Sequence, residues 1–172
     1  GTSGHHAGHQ VSFGGTAGIL TKPFGDGKSV IKISSANLSI ADHADWDFGT
    51  GAFTIEFWYM PTATTSNQNL IHRVVGTATD GQFNIIFMPG GANNVIMNSG
   101  TAAKHAGGIG LVQNAWHHIA ICRDGSNNMD IYIDGRKSGS TYSTSWDSTS
   151  DQAVKIGLAA SNGGSATTGY FD

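Results

Sequence analysis

WHHIAICRDGSNNMDIYIDGRKSGS, residues 116–140, reads as three consecutive antiparallel strands. Trp116 to Arg123 is rich in β-branched and aromatic residues, and residues 124–128 form a polar loop. Met129 to Ile133 sets Ile131 and Ile133 on one face against Asp130 and Tyr132 on the other. Asp134-Gly135 is the pair a tight hairpin prefers, because a type I′ turn needs positive φ at both central residues. A meander of this length belongs to an all-β sandwich. It makes the fold legible and leaves the ligand open.

Outward from it, the pattern repeats. Ala52 to Met60, AFTIEFWYM, is the strongest strand of the first half; Phe53, Ile55, Phe57 and Tyr59 share one face, and Pro61 ends it. Further strands are expected at 28–33, 37–40, 69–75, 82–88, 93–98 and 153–158, with one short strand within 11–20. The Gly-rich run 104–110 reads as loop, and 140–152 as a long polar connection carrying Trp146. Phe53, Ile55, Phe57, Trp116, Ile131 and Ile133 are expected in the core or against its layers. Residues 1–10 read as a flexible arm or linker, with His5, His6 and His9 solvated there rather than gathered on zinc.

Composition agrees with many short strands joined by turns: 25 glycines, 3 prolines and 12% charged residues. A net charge of −3 with no basic run argues against nucleic acid as partner. No apolar run approaches the ~20 residues that span a bilayer, so membrane insertion is not expected. Cys122, the single cysteine, reads as a small buried side chain. A chain that opens on Gly1 without a signal peptide reads as a processed product or a piece of a longer polypeptide.

Three segments together resemble a known family. ANLSIADHADWDFGTGAFTIEFWYMP (36–61), NAWHHIAICRDGSNNMDIYIDGRKSGS (114–140) and VKIGLAASNGGSATTGYFD (154–172) resemble, in order and spacing, the laminin-G-like jelly rolls of the concanavalin A-like superfamily found in phage and bacterial surface proteins. The resemblance implies an antiparallel β-sandwich over 11–172. It also implies one more strand after Asp172, so the domain is expected short of its closing strand, with an unpaired edge beside 153–158 and 169–172. An N-terminal arm, further polypeptide or a neighbouring subunit would fill that edge. Relatives that bind calcium place an acidic residue just after the early strand, where this chain has Ser34.

Glycoside hydrolysis needs two carboxylates at a set separation, and Glu56 is the single acidic residue of the main early strand. No enzyme is expected. Asp42, Asp45 and Asp47, with Asp172, are the candidate metal residues, with Ca2+ as the candidate ion. Their spacing does not match an EF-hand, and turn-forming carboxylates are the preferred reading. His117 and His118 are neighbours on a strand, so their rings point to opposite faces; one is expected buried and bonded, the other partly exposed. For a sugar, the candidates are Asn67, Asn93, Asn94 and Asn162 in loops, with Tyr142 and Trp146 as exposed rings in the long connection. Trp58 and Trp116 read as packing residues. The expected role is recognition or adhesion: a carbohydrate- or cell-surface-binding module of a virion fibre or other extracellular appendage. The alternative is a decoration or cement domain of a capsid or tail, with other structural subunits as its partners.

Overall fold

The computed structural model describes residues 9–15, 17–21, 29–73, 83–90, 94–99, 102–143, 145–157 and 167–172. Its strands form two seven-stranded sheets. The first runs in the order β1 (Val11–Gly14), β4 (Asn37–Ile40), β13 (Val154–Gly157), β6 (Gln68–Arg73), β7 (Phe83–Met88), β8 (Asn94–Ser99), β9 (Ala102–Gly110). The second runs β12 (Arg136–Ser143), β11 (Asn128–Ile133), β10 (His117–Arg123), β5 (Phe53–Pro61), β14 (Thr168–Phe171), β3 (Ser29–Ser34), β2 (Gly18–Thr21). Every pairing is antiparallel. The sandwich expected from the sequence is the architecture found.

The deciding meander is in place. Ile119 pairs with Ile133 and Ile121 with Ile131, and all four are buried. Asp134 has φ 52° and Gly135 φ 74°, the positive pair that a type I′ turn requires. The WHH and DG elements also hold each other. His117 Nε2 accepts from the Val112 amide at 2.9 Å, which makes Nδ1 the protonated nitrogen. Nδ1 donates to Asp134 Oδ2 at 2.8 Å, and Asp134 Oδ1 accepts from the His118 amide at 2.9 Å. His117 is thus the buried, bonded histidine, and the His118 side chain keeps 29% of its surface exposed. Burial pushes the Asp134 carboxyl up, yet it is held below its ordinary range because the His117 bond and the His118 amide favour the charged form.

Three local expectations are corrected. Residues 11–20 hold two strands, β1 and β2, and these go to different sheets. Residues 104–110 lie in β9, not in a loop. Gly108 stands where β9 meets β12 of the opposite sheet, its Cβ position within van der Waals contact of the Gly139 backbone. The Ile109 amide donates to Ser138 Oγ at 2.8 Å across the same join. The polar connection is also shorter than expected, since β12 continues to Ser143.

Phe53, Ile131 and Ile133 are in the core, while Ile55 and Phe57 pack against it half-buried; Trp116 is also half-buried. The half-burial on β5 has a cause. β13 lies between β4 and β6, and β14 between β5 and β3, so the expected unpaired edge beside them is not there. The open edge lies further along β5. β14 pairs with β5 at Pro61, Met60 and Tyr59, and Asp172 exchanges backbone bonds with Trp58 at 2.8 and 3.1 Å. Beyond Trp58, residues 53–57 have no strand on that side among the described residues. A groove of about 340 Å³ opens there onto Phe48, Ile55, Ile71, Phe83, Val154 and Ile156.

Candidate functional site

At one end of the sandwich the expected calcium ligands meet a cation the chain itself supplies. Arg73, the last residue of β6, is fully buried. Its guanidinium donates to Asp42 Oδ1 at 2.6 Å, Asp47 Oδ1 at 2.7 Å and the carbonyls of Trp46 (2.7 Å) and Gln152 (2.8 Å). The carbonyls of Ser148 and Ser150 complete the set. A fork of N–H donors matches this ring of oxygens, and burial makes the pairing obligatory. Asp42 and Asp47 therefore hold an arginine, not a calcium ion. Asp45 turns away toward His9 and His43, and Asp172 lies in the other sheet beside Trp58. The four carboxylates are not brought together. The Asp47 carboxyl is held below its ordinary range chiefly by the Ser150 amide, with Arg73 adding a bond and a charge against the opposing effect of burial.

A second buried guanidinium sits nearby in sequence logic but not in chemistry. Arg123, at the end of β10, donates to the carbonyls of Gly51 (2.7 Å), Gly49 (2.6 Å) and Trp146 (2.5 Å). It also lies over the rings of Phe53 and Trp146, at 4.9 and 5.6 Å. This is where Trp146 is found: 7% exposed, edge-on to Phe53 and Phe83. The expectation of an exposed sugar platform at Trp146 is corrected, because the ring is fixed in the core by residues distant in sequence.

The outward face of the first sheet carries the arrangement best suited to a ligand. Core residues Ile85 and Phe87 of β7, and Val95 and Met97 of β8, point inward, which puts Asn84, Ile86, Asn94, Ile96 and Asn98 outward. A bulge between Asn69 and Ile71 keeps both Asn69 and His72 on the outward side of β6. Register then aligns His72, Asn84 and Asn98 in one row, and Asn69, Ile86 and Ile96 in the next. Lys155 of β13 extends the first row.

These amides are deep. Asn69 and His72 are fully buried and Asn84 is 5% exposed, while Met88, opposite Asn94 at the rim, is 37% exposed. Asn84 Nδ2 donates to Asn69 Oδ1 at 2.7 Å. That bond leaves Asn69 Nδ2 and Asn84 Oδ1 with no partner, and Asn94 Oδ1 and Asn98 Oδ1 are likewise unpaired. Reversing both amides would reverse the bond and still leave one donor beside one acceptor. Buried polar groups without partners cost about 1–3 kcal/mol each, so such a cluster calls for an explanation. A neutral donor and acceptor side by side, next to Ile86 and Ile96, are the kind of groups that pair with hydroxyls, and both are buried.

Of the residues expected from sequence, Asn94 stands on this face. Asn67 lies in the β5–β6 connection, two residues before Asn69. Tyr142 is not in a connection; it pairs with Met129 within β12, half-buried. Asn93 and Asn162 lie outside the described residues. Asn69, Asn84 and Asn98 fall in strands the sequence predicts but are not among its candidate ligand residues. The available signal was asparagine recurring at outward positions of consecutive strands. Trp58, read as packing, is instead 43% exposed on the outward face of the second sheet, with its ring 5.2 Å from that of His118.

The sequence profile of a laminin G family, described as the concanavalin A-like lectin/glucanases superfamily, matches residues 32–172. No curated protein sequence matches the chain. Among solved structures, domain 4 of AbnA, a GH43 extracellular arabinanase from Geobacillus stearothermophilus solved in complex with arabinotriose, superposes with a TM-score of 0.72 at 15% identity. That match covers 94% of this chain and 79% of that one. The binding domain of Paraclostridial Mosquitocidal Protein 1 gives 0.66 at 14%, covering 95% and 44%. A structure of botulinum neurotoxin type C, whose cell entry is described as dependent on two ganglioside molecules, gives 0.63 at 12%, covering 95% and 42%. The chain thus spans less than half of either toxin chain, and at these identities the likeness shows fold. Among the described residues no helix is long and apolar enough to cross a membrane.

Proposed function

The chain belongs to the concanavalin A-like lectin/glucanases superfamily, and from that membership we propose a non-enzymatic recognition or adhesion module that binds a neutral carbohydrate on the outward face of its first sheet. Its setting would be a virion fibre or another extracellular or cell-surface appendage. The observation that carries the reading is the unpaired donor and acceptor at Asn69 and Asn84, buried beside a formed amide–amide bond. A sugar with two neighbouring hydroxyls would satisfy both at once. Structural relatives solved with an oligosaccharide or described with gangliosides support the class of ligand. Calcium has no role in the reading, since Arg73 holds Asp42 and Asp47.

The test is a glycan array with the purified chain, with and without calcium, followed by titration of the retained glycan. Asn84→Ala should weaken binding at least tenfold, about 1.4 kcal/mol, and chelation should leave it unchanged. Retention of no glycan, or equal affinity in the variant, would overturn the reading.

One observation favours the second reading, a structural subunit of a capsid or tail. The open edge of β5 beside an apolar groove is the kind of surface another strand would cover. Trp58 turns its amide toward that side, so Thr54 and Glu56, at alternate positions, do the same. In the isolated chain their amides should exchange with deuterium much faster than that of Trp58. Equal protection at all three positions would remove the support for this reading.

A further inference from the structure

The amide face of the first sheet has an apolar centre. Asn69, Ile86 and Ile96 form one row across β6, β7 and β8. Asn84 and Asn98 stand in the row on one side of it, and Asn94 in the row on the other. Neighbouring rows on one face lie about 7 Å apart. The two isoleucines are therefore flanked by carboxamides on three sides. The atoms left without partners are Asn69 Nδ2 and the side-chain oxygens of Asn84, Asn94 and Asn98.

Depth and composition limit what can meet them. Asn69 is fully buried, and Asn84 and Ile96 keep only 5% and 9% of their surface exposed. A pyranose ring laid flat needs a broad open face, so this depth suits a small group projecting from a ring. None of the outward residues of β7 and β8 is aromatic, and a ring finds no stacking platform there. A hydroxyl can pair with the carboxamides, but it offers the isoleucines nothing. An acetamido group offers both. Its planar trans amide points a carbonyl acceptor and an N–H donor away from each other, and its methyl is apolar.

Resting on the carbohydrate reading above, we infer that this face recognises an N-acetylhexosamine through its acetamido group. The methyl meets Ile86 and Ile96, the carbonyl accepts from Asn69 Nδ2, and the N–H donates to a carboxamide oxygen across the isoleucines.

Matched sugars test this on the unaltered full chain. N-acetylated chitotriose and cellotriose share one backbone and differ in the acetamido groups. The methyl glycosides of N-acetylgalactosamine and galactose repeat the comparison in another configuration. By calorimetric titration, an acetylated member should bind at least about tenfold tighter than its hydroxyl partner. De-N-acetylated chitotriose should bind no better than cellotriose, and in saturation-transfer NMR the acetyl methyl should receive the strongest signal. Ile86→Ser, with its fold verified by circular dichroism, should bring the two members to within about threefold. Equal or tighter binding of the hydroxyl partners, array retention only of glycans without an acetamido group, or a preference that survives Ile86→Ser would overturn the inference and leave the carbohydrate reading standing. Binding of no sugar at all would overturn both.

Discussion

Asn84 and Trp58 both project outward from interior strands, Asn84 from the first sheet and Trp58 from the second. Asn84 is 5% exposed and Trp58 is 43% exposed. Polarity alone would order them the other way. A single exposed aromatic is ordinary, because folded proteins cannot cover all their apolar surface. A buried carboxamide with an unpaired oxygen is not ordinary. The second sheet rests Trp58 on His118, itself 3.5 Å from Glu56, and needs nothing more. The first sheet gathers amides whose bonding capacity the protein leaves unfilled. The arginines differ in the same sense: Arg73 of the first sheet is met by carboxylates, Arg123 of the second by carbonyls and rings. Function is to be sought where polar groups are buried beyond what folding uses.

The contrast can be broken most severely at Arg73. Arg73→Met should cost about 3–5 kcal/mol by denaturant unfolding, because two carboxylates and several carbonyls lose their donor. Added calcium should not restore the loss, and full rescue by calcium would show that the oxygens form a metal site after all. Next in size is the double variant Asn69→Leu/Asn84→Leu. It should abolish glycan retention, a loss of about 100-fold or more, about 2.7 kcal/mol, while the Tm holds or rises. Replacing both members of an under-satisfied buried pair by apolar groups of similar shape is nearly neutral or stabilising. A large fall in Tm would mean that the amides serve the fold.

Acid sharpens the comparison between the arginines. The folded-state pKa of Asp47 is lowered, so its contribution is present above the unfolded value of about 3.9 and is lost as pH falls through the folded one. Asp47→Asn should flatten the stability profile below about pH 4. The carbonyls around Arg123 do not titrate, and an equal flattening on replacing a carbonyl-side neighbour such as Gly49 would remove the distinction. The smallest effect belongs to Trp58→Ala. It should change stability by no more than about 0.5 kcal/mol and leave glycan binding intact; a tenfold loss of affinity would move the site to the second sheet.

How much of this was legible depends on sequence distance. The β10–β12 meander was readable because its turn chemistry and alternation are local: Asp134 and Gly135 lie between the strands they join. Asn69, Asn84 and Asn98 become neighbours through the register of three strands, including a bulge, and no short window contains them. Trp146 looked exposed because its own segment is polar; Phe53, Phe83 and Arg123, which bury it, come from elsewhere. The aspartates looked like a metal site for the same reason. Their partner, Arg73, is 26 residues from Asp47 and 31 from Asp42.

Arg73 changes what the surroundings can do to this domain. An ion held by oxygens equilibrates with its medium, is stripped by chelators and vanishes on dilution. A guanidinium on the chain has no free concentration and no off-rate. The segments closed over Arg73, around Asp42–Asp47 and Ser148–Gln152, are fastened from the moment the chain folds. A protein so built keeps that end of its sandwich in calcium-rich and calcium-poor fluids alike. Acid that protonates Asp47, whose carboxyl is held below its ordinary range, weakens that closure from within.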